Sequence, residues 1–599
     1  MSYNFVLSSE NCSNSLKHTN VFKLCIILGL NALFCISSVN ADTIYANSTK
    51  SIQQAINEAQ IGDTINVSAD TIYNENVVIN KSVTLVPYNS TMPTISPTSG
   101  PPINITGMSN VIVSGFNLSG GRTSPYGSAV YLYANGNTCN NNTFIGNIME
   151  SVSSCVNLIA NSSGLCNNNT FIGNHMTSFS GCGVWIFNYS GACEFNSFIE
   201  NTISGADSHG VYMFSSSNNL FTENNITSFE KECVNLISSS NNTFTGNNIA
   251  PSVNVVISLS SSSNYNTFTG NNLTGVSLAV KIYSSSNYNT FTYNTITGGS
   301  YDDSHGVYIG SSSNYNVFTE NSITGGTGGD SFGVYLESDL NTFNDNKIVG
   351  GSGPMCDGVY TSATSHNNTF LGNTITSTSG YGVQFYSSGN NTFISCIIIG
   401  NNSTYDVFVY GNGDNSLINC TFSTIGFESS STGGVFVYWY LDVYVTDGTS
   451  AIENAEVAVT KVVTESELCS GYTDSAGFKR FEYLEYWQNN NTRFNYTTHN
   501  LYNISAQKSK YTSNSTTTYL DSYKKINLVI KTIVDLKLTN ESLVINVTKF
   551  EADSTHLATA IYTGTNLITD DRRHLLSKKA KDFANKYNIK LLGLDEVEL

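Results

Sequence analysis

Residues 241–249 read Asn-Asn-Thr-Phe-Thr-Gly-Asn-Asn-Ile, and the fold follows from how regularly that phrase returns. Its Phe recurs at Phe144, Phe171, Phe198, Phe221, Phe244, Phe268, Phe291, Phe318, Phe343, Phe370 and Phe393, with Leu417 closing the series, at intervals of 23 to 27 residues. Three positions after each stands Asn147, Asn174, Asn201, Asn224, Asn247, Asn271, Asn294, Asn321, Asn346 or Asn373, then Cys396 and Cys420. Five after stands an apolar residue, from Met149 through Ile226 and Ile348 to Phe422. A period in this range marks one supersecondary unit per repeat, stacked into a solenoid.

Each unit carries two short runs of period-two alternation between Ser, Asn and Gly clusters, which excludes helical repeats and predicts strands. In one run Phe, Asn and Ile all point inward only if a turn or bulge lies between Phe and Asn. In the other, Val130/Leu132, Val156/Leu158, Val184/Ile186, Val211/Met213, Val234/Leu236, Val280/Ile282, Val307/Ile309, Val334/Leu336 and Val407/Val409 alternate with outward residues. Strands of that length fit a right-handed parallel β-helix of about twelve coils or more, each strand pairing with its equivalent in the next coil. Buried Asn suits this geometry, because each amide donates to and accepts from the amides above and below it.

Ahead of the repeats, Ser51 to Ala59 place apolar residues at 52, 55, 56 and 59 after a Ser start, predicting a short amphipathic helix that covers the open end of the stack. Here the chain resembles the pectate-lyase-like superfamily. "SIQQAINEAQIGDTINV" is similar to its N-terminal entry, and the "NNTFTGNNI" coils look like those of NosD-type β-helix proteins and surface proteins. The resemblance covers about residues 50 to 430 and implies the fold; lyases, hydrolases, esterases and non-enzymatic adhesins share it.

The sequence divides into a signal peptide (1–41), the β-helix with its capping helix (42–428), a linker (429–434), a small β-sandwich (435–533) and a short α/β tail (534–599). Lys17 and Lys23 precede the apolar run 24–36, and Val39-Asn40-Ala41 supplies small residues at a cleavage spacing. The protein is therefore expected outside the cytoplasm, secreted or in the envelope, with no membrane anchor after the signal; sequons such as Asn141-Asn142-Thr143 permit glycosylation. Residues 42–430 hold 23 acids and six bases, nearly all of the net −18, so the rod repels nucleic acid and anionic membrane. Cys139, Cys166 and Cys193, Cys155 and Cys182, and Cys396 and Cys420 each recur at the repeat spacing, either as oxidised pairs or as a buried apolar ladder.

The outward neighbours in the valine run are Tyr131, Trp185, Tyr212, Tyr308, Tyr335 and Tyr360, an aromatic ribbon suited to stacking on a polysaccharide or surface glycan, or to stabilising the sheet by cross-strand contacts. Beside it a box recurs: Asp207-Ser208-His209-Gly210-Val211-Tyr212, Asp303-Ser304-His305-Gly306-Val307-Tyr308 and Asp330-Ser331-Phe332-Gly333-Val334-Tyr335. Stacking brings Asp302, Asp303 and Asp330 together, where carboxylates share a proton, hold calcium or perform hydrolase or lyase acid/base chemistry, with His305 as a proton donor; the same Asp-Ser-x-Gly is also ordinary turn chemistry. The lyases of this fold use Arg or Lys as base, and the rod's single Arg122 argues against that mechanism. The NosD resemblance implies copper, for which the scattered His175, His209, His305 and His366 offer no grouped ligands.

Beyond Phe422 the coils stop. "VTDGTSAIENAEVAV" and "TDSAGFKRF" look like a carboxypeptidase-regulatory-like sandwich, a spacing or binding module. The final segment resembles the C-terminal half of a PIN nuclease domain, which implies Mg²⁺ or Mn²⁺ held by Asp553 with Asp570 or Asp571; with half of that domain missing, an inactive remnant is expected.

Overall fold

The computed structural model describes residues 41–533, except 122–126, 252, 402–404 and 498, together with four short backbone strands at 536–539, 542–545, 566–569 and 591–593. The expected signal segment lies outside the described residues. The chain divides into two compact units, residues 1–360 with 376–381, and 361–375 with 382–599.

The first unit is a parallel β-solenoid of three sheets. In the first sheet the Phe strands pair in register from Phe144 through Phe343. Their rings stack with centroids 4.6–5.0 Å apart and planes within 2–12°. Ile65, Leu85 and Val113 continue that row toward the N-terminus, so further turns precede the first Phe; the strand pairings amount to about 15 turns in the described residues. The second sheet carries the buried Met149–Met176–Ile203–Ile226–Ile249 row, and the third the paired valines.

The turn expected between Phe and Asn is a single left-handed residue. At Phe+2, Gly146, Gly173, Glu200, Glu223, Gly246, Gly270, Tyr293, Glu320, Asp345, Gly372, Ser395 and Asn419 all have φ between 51° and 68°. That corner reverses the alternation once, so Phe and the Asn three residues on both face the interior.

The Asn row is fully satisfied. Asn174 Nδ2 donates to Asn201 Oδ1 at 3.0 Å and to Phe144 O at 3.0 Å, while its own Oδ1 accepts from Asn147 N and Nδ2 at 2.9 and 3.1 Å. A second buried amide row stands at Phe−2, from Asn142 through Asn316, linked by Nδ2 to Oδ1 bonds of 3.0–3.2 Å. Net hydrogen-bond gains are modest, but an unmet buried amide costs about 1–3 kcal/mol, so the rows fix register as well as stability.

The expected end helix, α1, spans Ile52–Glu58, with Ser51 and Gln54 forming a capping box and Ile52, Ala55 and Ile56 buried. Both ends are tied to the solenoid. Glu75 accepts from Ile52 N and Gln53 N at 2.8 and 3.1 Å, and Lys81 Nζ donates to Ile56 O, Asn57 O and Ala59 O at 2.7–3.1 Å. Each charge complements the local end of the helix dipole.

The second unit holds the last turns, with Phe370, Phe393 and Leu417 in register. Residues 429–434, expected as a linker, are bound to the preceding turn: Thr432 N and Gly433 N donate to Gly411 O, and Ser431 Oγ to Val409 O. The chain then re-enters the Phe sheet, because Val435–Thr446 pairs parallel with Asn415–Ile418 before pairing antiparallel with Phe478–Gln488 and parallel with Lys524–Val529. A separate sheet joins Glu467–Tyr472, Glu456–Lys461, Leu501–Gln507 and Asn514–Tyr519, and Leu441, Val443, Val457, Val459, Phe481, Ile504 and Leu528 belong to one core cluster. Buried Asp442 is met by a two-pronged Arg480 at 2.7 and 2.8 Å and by Tyr523.

No helix among the described residues is long and apolar enough to cross a membrane. The ten cysteines of these residues carry free thiols. Cys155 and Cys182 do not stack as expected: Val156 pairs with Val184, which places Cys155 opposite Gly183 and Cys182 opposite Ser154. Cys155 is fully buried, whereas Cys182 keeps 7% of its surface exposed.

Candidate functional site

The outward face of the valine sheet carries the predicted residues in lanes fixed by register. Immediately after each inward Val runs Tyr131, Asn157, Trp185, Tyr212, Asn235, Ser258, Lys281, Tyr308 and Tyr335. The ribbon is thus interrupted twice: Asn157 separates Tyr131 from Trp185–Tyr212, and Asn235, Ser258 and Lys281 separate Trp185–Tyr212 from Tyr308–Tyr335–Tyr360. All six aromatics are half-buried. In the second stretch the rings alternate edge to face, Tyr308–Tyr335 at 5.4 Å and 72°, Tyr335–Tyr360 at 5.1 Å and 84°. Glu337 fixes two hydroxyls, accepting from Tyr308 at 2.6 Å and Tyr335 at 2.7 Å; burial, then this carboxylate, push both phenols well above their ordinary range.

Two aromatic groups were not anticipated. Phe187 and Phe214, two residues further along the strand, stack at 4.6 Å, with Trp185 edge-on to Phe187 at 5.4 Å. At the Phe−3 corner the exposed Tyr265, Tyr288 and Tyr315 stack at 5.0 and 4.9 Å, all in the left-handed conformation. The threefold "SSSNY" before the Phe motif is the sequence signal for that second group.

The acidic box folds as a stacked turn. Asp303 and Asp330 are left-handed, at φ 57° and 50°, and exposed; Asp303 N donates to Gly329 O and Asp330 N to Pro354 O, while Asp302 Oδ1 accepts from Gly329 N at 2.8 Å. Partial burial, then the charges of Asp303 and Asp302, hold the Asp330 carboxyl above its usual range. His305 is buried; its Nδ1 accepts from Phe332 N at 3.1 Å, its ring stacks on Phe332 at 5.1 Å, and burial pushes it down to about 3. At neutral pH it stands as an uncharged acceptor at Nδ1. Asp357 takes the Phe332 place one turn on, and burial pushes its carboxyl up to about 8.

Two positions before the inward Val, Cys182, His209 and Glu232 follow one another in three consecutive turns. His209 Nε2 is 3.1 Å from Glu232 Oε2, and Nδ1 faces Ser208 Oγ at 3.2 Å and Cys182 Sγ at 3.9 Å. Asp553, Asp570 and Asp571 lie outside the described residues. Among the described residues no group of three His, Cys, Asp or Glu side chains is arranged to hold a metal ion.

Several known proteins show a distant likeness to this chain. Among solved structures, the A-module of mannuronan C-5 epimerase AlgE6 from Azotobacter vinelandii shares 14% identity over 63% of this chain and 94% of its own, with a TM-score of 0.38. The catalytic unit of the GH87 α-1,3-glucanase from Streptomyces thermodiastaticus shares 12% over 65% of this chain and 70% of its own, with a TM-score of 0.34. The receptor-binding domain of the siphovirus 9NA tailspike shares 10% over 79% of this chain and 98% of its own, with a TM-score of 0.31. No curated protein matches the chain. The family model for the right-handed β-helix region matches residues 158–323 and 256–422, and the parallel, in-register turns observed there are such a right-handed β-helix.

Proposed function

We propose that the protein is an exported β-helix protein of the cell surface or envelope that binds a polysaccharide or surface glycan through its Tyr/Trp ribbon. The observation that carries this reading is the row Tyr308, Tyr335 and Tyr360, whose rings pack against one another while Glu337 fixes the hydroxyls of the first two. Prearranged aromatic rings with anchored polar edges bind sugars without first losing rotamer freedom. The C-terminal sheets serve, on this reading, as a β-sandwich spacer. A glycan array with the full chain tests it: the triple variant Tyr308→Ala, Tyr335→Ala, Tyr360→Ala loses binding by at least about tenfold, the equivalent of about 1.4 kcal/mol, and a variant that binds like the parent ends the proposal.

A second reading, a polysaccharide hydrolase or lyase, is favoured by the raised carboxyl of Asp330 beside Asp302 and Asp303. Grouped carboxylates are what such acid/base chemistry uses. Release of oligosaccharide from a polysaccharide panel, abolished by Asp303→Asn, supports it; undiminished release in that variant rejects it.

A further inference from the structure

Among the described cysteines, Cys182 stands apart. Cys155, Cys193, Cys396 and Cys420 are buried and direct their thiols to backbone carbonyls, those of Met149, Phe187, Phe370 and Phe393. Cys182 instead faces a histidine. Its Sγ lies 3.3 Å from Ser208 Oγ and 3.9 Å from His209 Nδ1, and His209 Nε2 meets Glu232 Oε2 at 3.1 Å. Thiol, imidazole and carboxylate therefore form one chain with both ring nitrogens committed.

A fourth group completes it. Asn235 is 9% exposed, its Nδ2 lies 3.1 Å from His209 Nε2, and its Oδ1 has no hydrogen-bond partner. A half-turn of the amide keeps its shape and presents that oxygen to the Nε2 proton, beside Glu232. The side chains of His209 and Glu232 are 14% and 25% exposed, so the lane opens to solvent, and the Tyr212 ring lies 5.0 Å from the imidazole.

We propose that Cys182 is a nucleophile, with His209 its acid/base partner and Glu232 and Asn235 positioning residues, in a thiol site that accepts acyl groups from small esters. Sγ attacks the ester carbonyl, the C–O bond breaks, and the alcohol departs with the proton held at His209 Nδ1. The thioester on Cys182 is then hydrolysed: His209 takes a proton from water, the carboxylic acid leaves, and the thiol is restored. The separation of Sγ and Nδ1 is that of a resting pair, which closes when substrate is bound. Burial opposes the charge on His209, but Cys182 and Glu232 outweigh it and raise the imidazole to about 9. The groups facing the imidazole are Cys182, Ser208, Tyr212, Glu232 and Asn235, with Lys231 acting on Glu232.

The site is independent of the glycan-binding reading, and its test uses the full chain. Limiting iodoacetamide, read by site-resolved mass spectrometry, alkylates Cys182 at about pH 6 at least about tenfold faster than the partly exposed Cys469. His209→Asn removes that advantage and moves the reaction to the ordinary thiol range near pH 8.5, while Glu232→Gln lowers the pH at which the pair loses its shared proton. p-Nitrophenyl acetate leaves an acetyl thioester on Cys182 that is absent in Cys182→Ser. Alkylation of Cys182 no faster than that of Cys469 in the unmutated protein overturns the activated thiol, and fast alkylation without a thioester overturns acyl transfer.

Discussion

Asp357 and His305 occupy the same lane on either side of Phe332, and both are buried titratable groups that accept one backbone hydrogen bond, from Tyr381 N and Phe332 N respectively. Burial holds the Asp357 carboxyl protonated up to about pH 8, and its Oδ2 finds no hydrogen-bond partner. In the unfolded chain the same group ionises near pH 4, so the unfolded state is favoured progressively as pH rises from there to about 8. Asp357→Asn removes this effect. Calorimetry at pH 4 and pH 8 should show the variant gaining stability on the parent at the higher pH; an equal difference at both would show that Asp357 ionises in the fold. His305 has the opposite sign. Its folded value of about 3 lies below the unfolded 6.5, so its contribution is complete above pH 6.5 and fades as pH falls toward 3. His305→Phe copies the next turn but orphans Phe332 N, a cost of about 1–3 kcal/mol at neutral pH. That cost should shrink on acidification, as paired melting curves at pH 7 and pH 4 would record.

The repeating coil was legible where side-chain chemistry marks it and hidden where only backbone does. Phe and Asn recur at fixed offsets because their rows must be continuous to be satisfied, and Val alternates because one face is buried. The corner at Phe+2 is occupied by Gly, Glu, Tyr, Asp, Ser or Asn, which share a backbone conformation and no side-chain character, so its position was inferred but its residue was not. The first turns escaped notice because Ile65, Leu85 and Val113 fill the Phe place without the amide. The Cys182–His209–Glu232 lane was hidden because loops of unequal length separate it, and it emerges only when Val184, Val211 and Val234 are aligned. Where the Asn row ends, Cys396 and Cys420 direct their thiols to Phe370 O and Phe393 O, the bond that Asn174 Nδ2 makes to Phe144 O. Asn247→Leu tests the row itself. It keeps the branched shape, in a somewhat larger side chain, but strips the acceptor from Asn224 N and Nδ2 and the donor from Phe221 O. At about 1–3 kcal/mol for each orphan, the loss should exceed about 3 kcal/mol, whereas Thr245→Ala, on the outward side of the strand just before Asn247, should stay within about 0.5 kcal/mol. Denaturant unfolding of the two variants checks the contrast.

If the aromatic face binds a glycan as proposed, charge over the molecule constrains which glycan it would hold. Residues 42–430 carry 23 acids against six bases, and Glu337, Asp302, Asp303 and Asp330 are grouped near Tyr308 and Tyr335 along the chain, with Glu337 bonded to both tyrosines. Aromatic stacking is indifferent to the sign of a polysaccharide, but a field of this sign is not: it raises the local concentration of cations and depletes polyanions within a Debye length, about 8 Å at physiological salt. A polyuronate approaching the row must overcome that repulsion at every repeat, whereas a neutral glycan meets only the rings and an amino sugar is drawn to the carboxylates. Retention on immobilised polysaccharides should therefore follow amino sugar, then neutral sugar, then polyuronate in dilute buffer, with the differences narrowing as salt rises to about 1 M, where the screening length falls to about 3 Å. Glu337→Gln should weaken the preference for the amino sugar and also loosen the two tyrosine hydroxyls it now fixes, lowering retention of the neutral glycan as well. Preferential retention of the polyuronate in dilute buffer would place binding on a different face from the Tyr308–Tyr335–Tyr360 row.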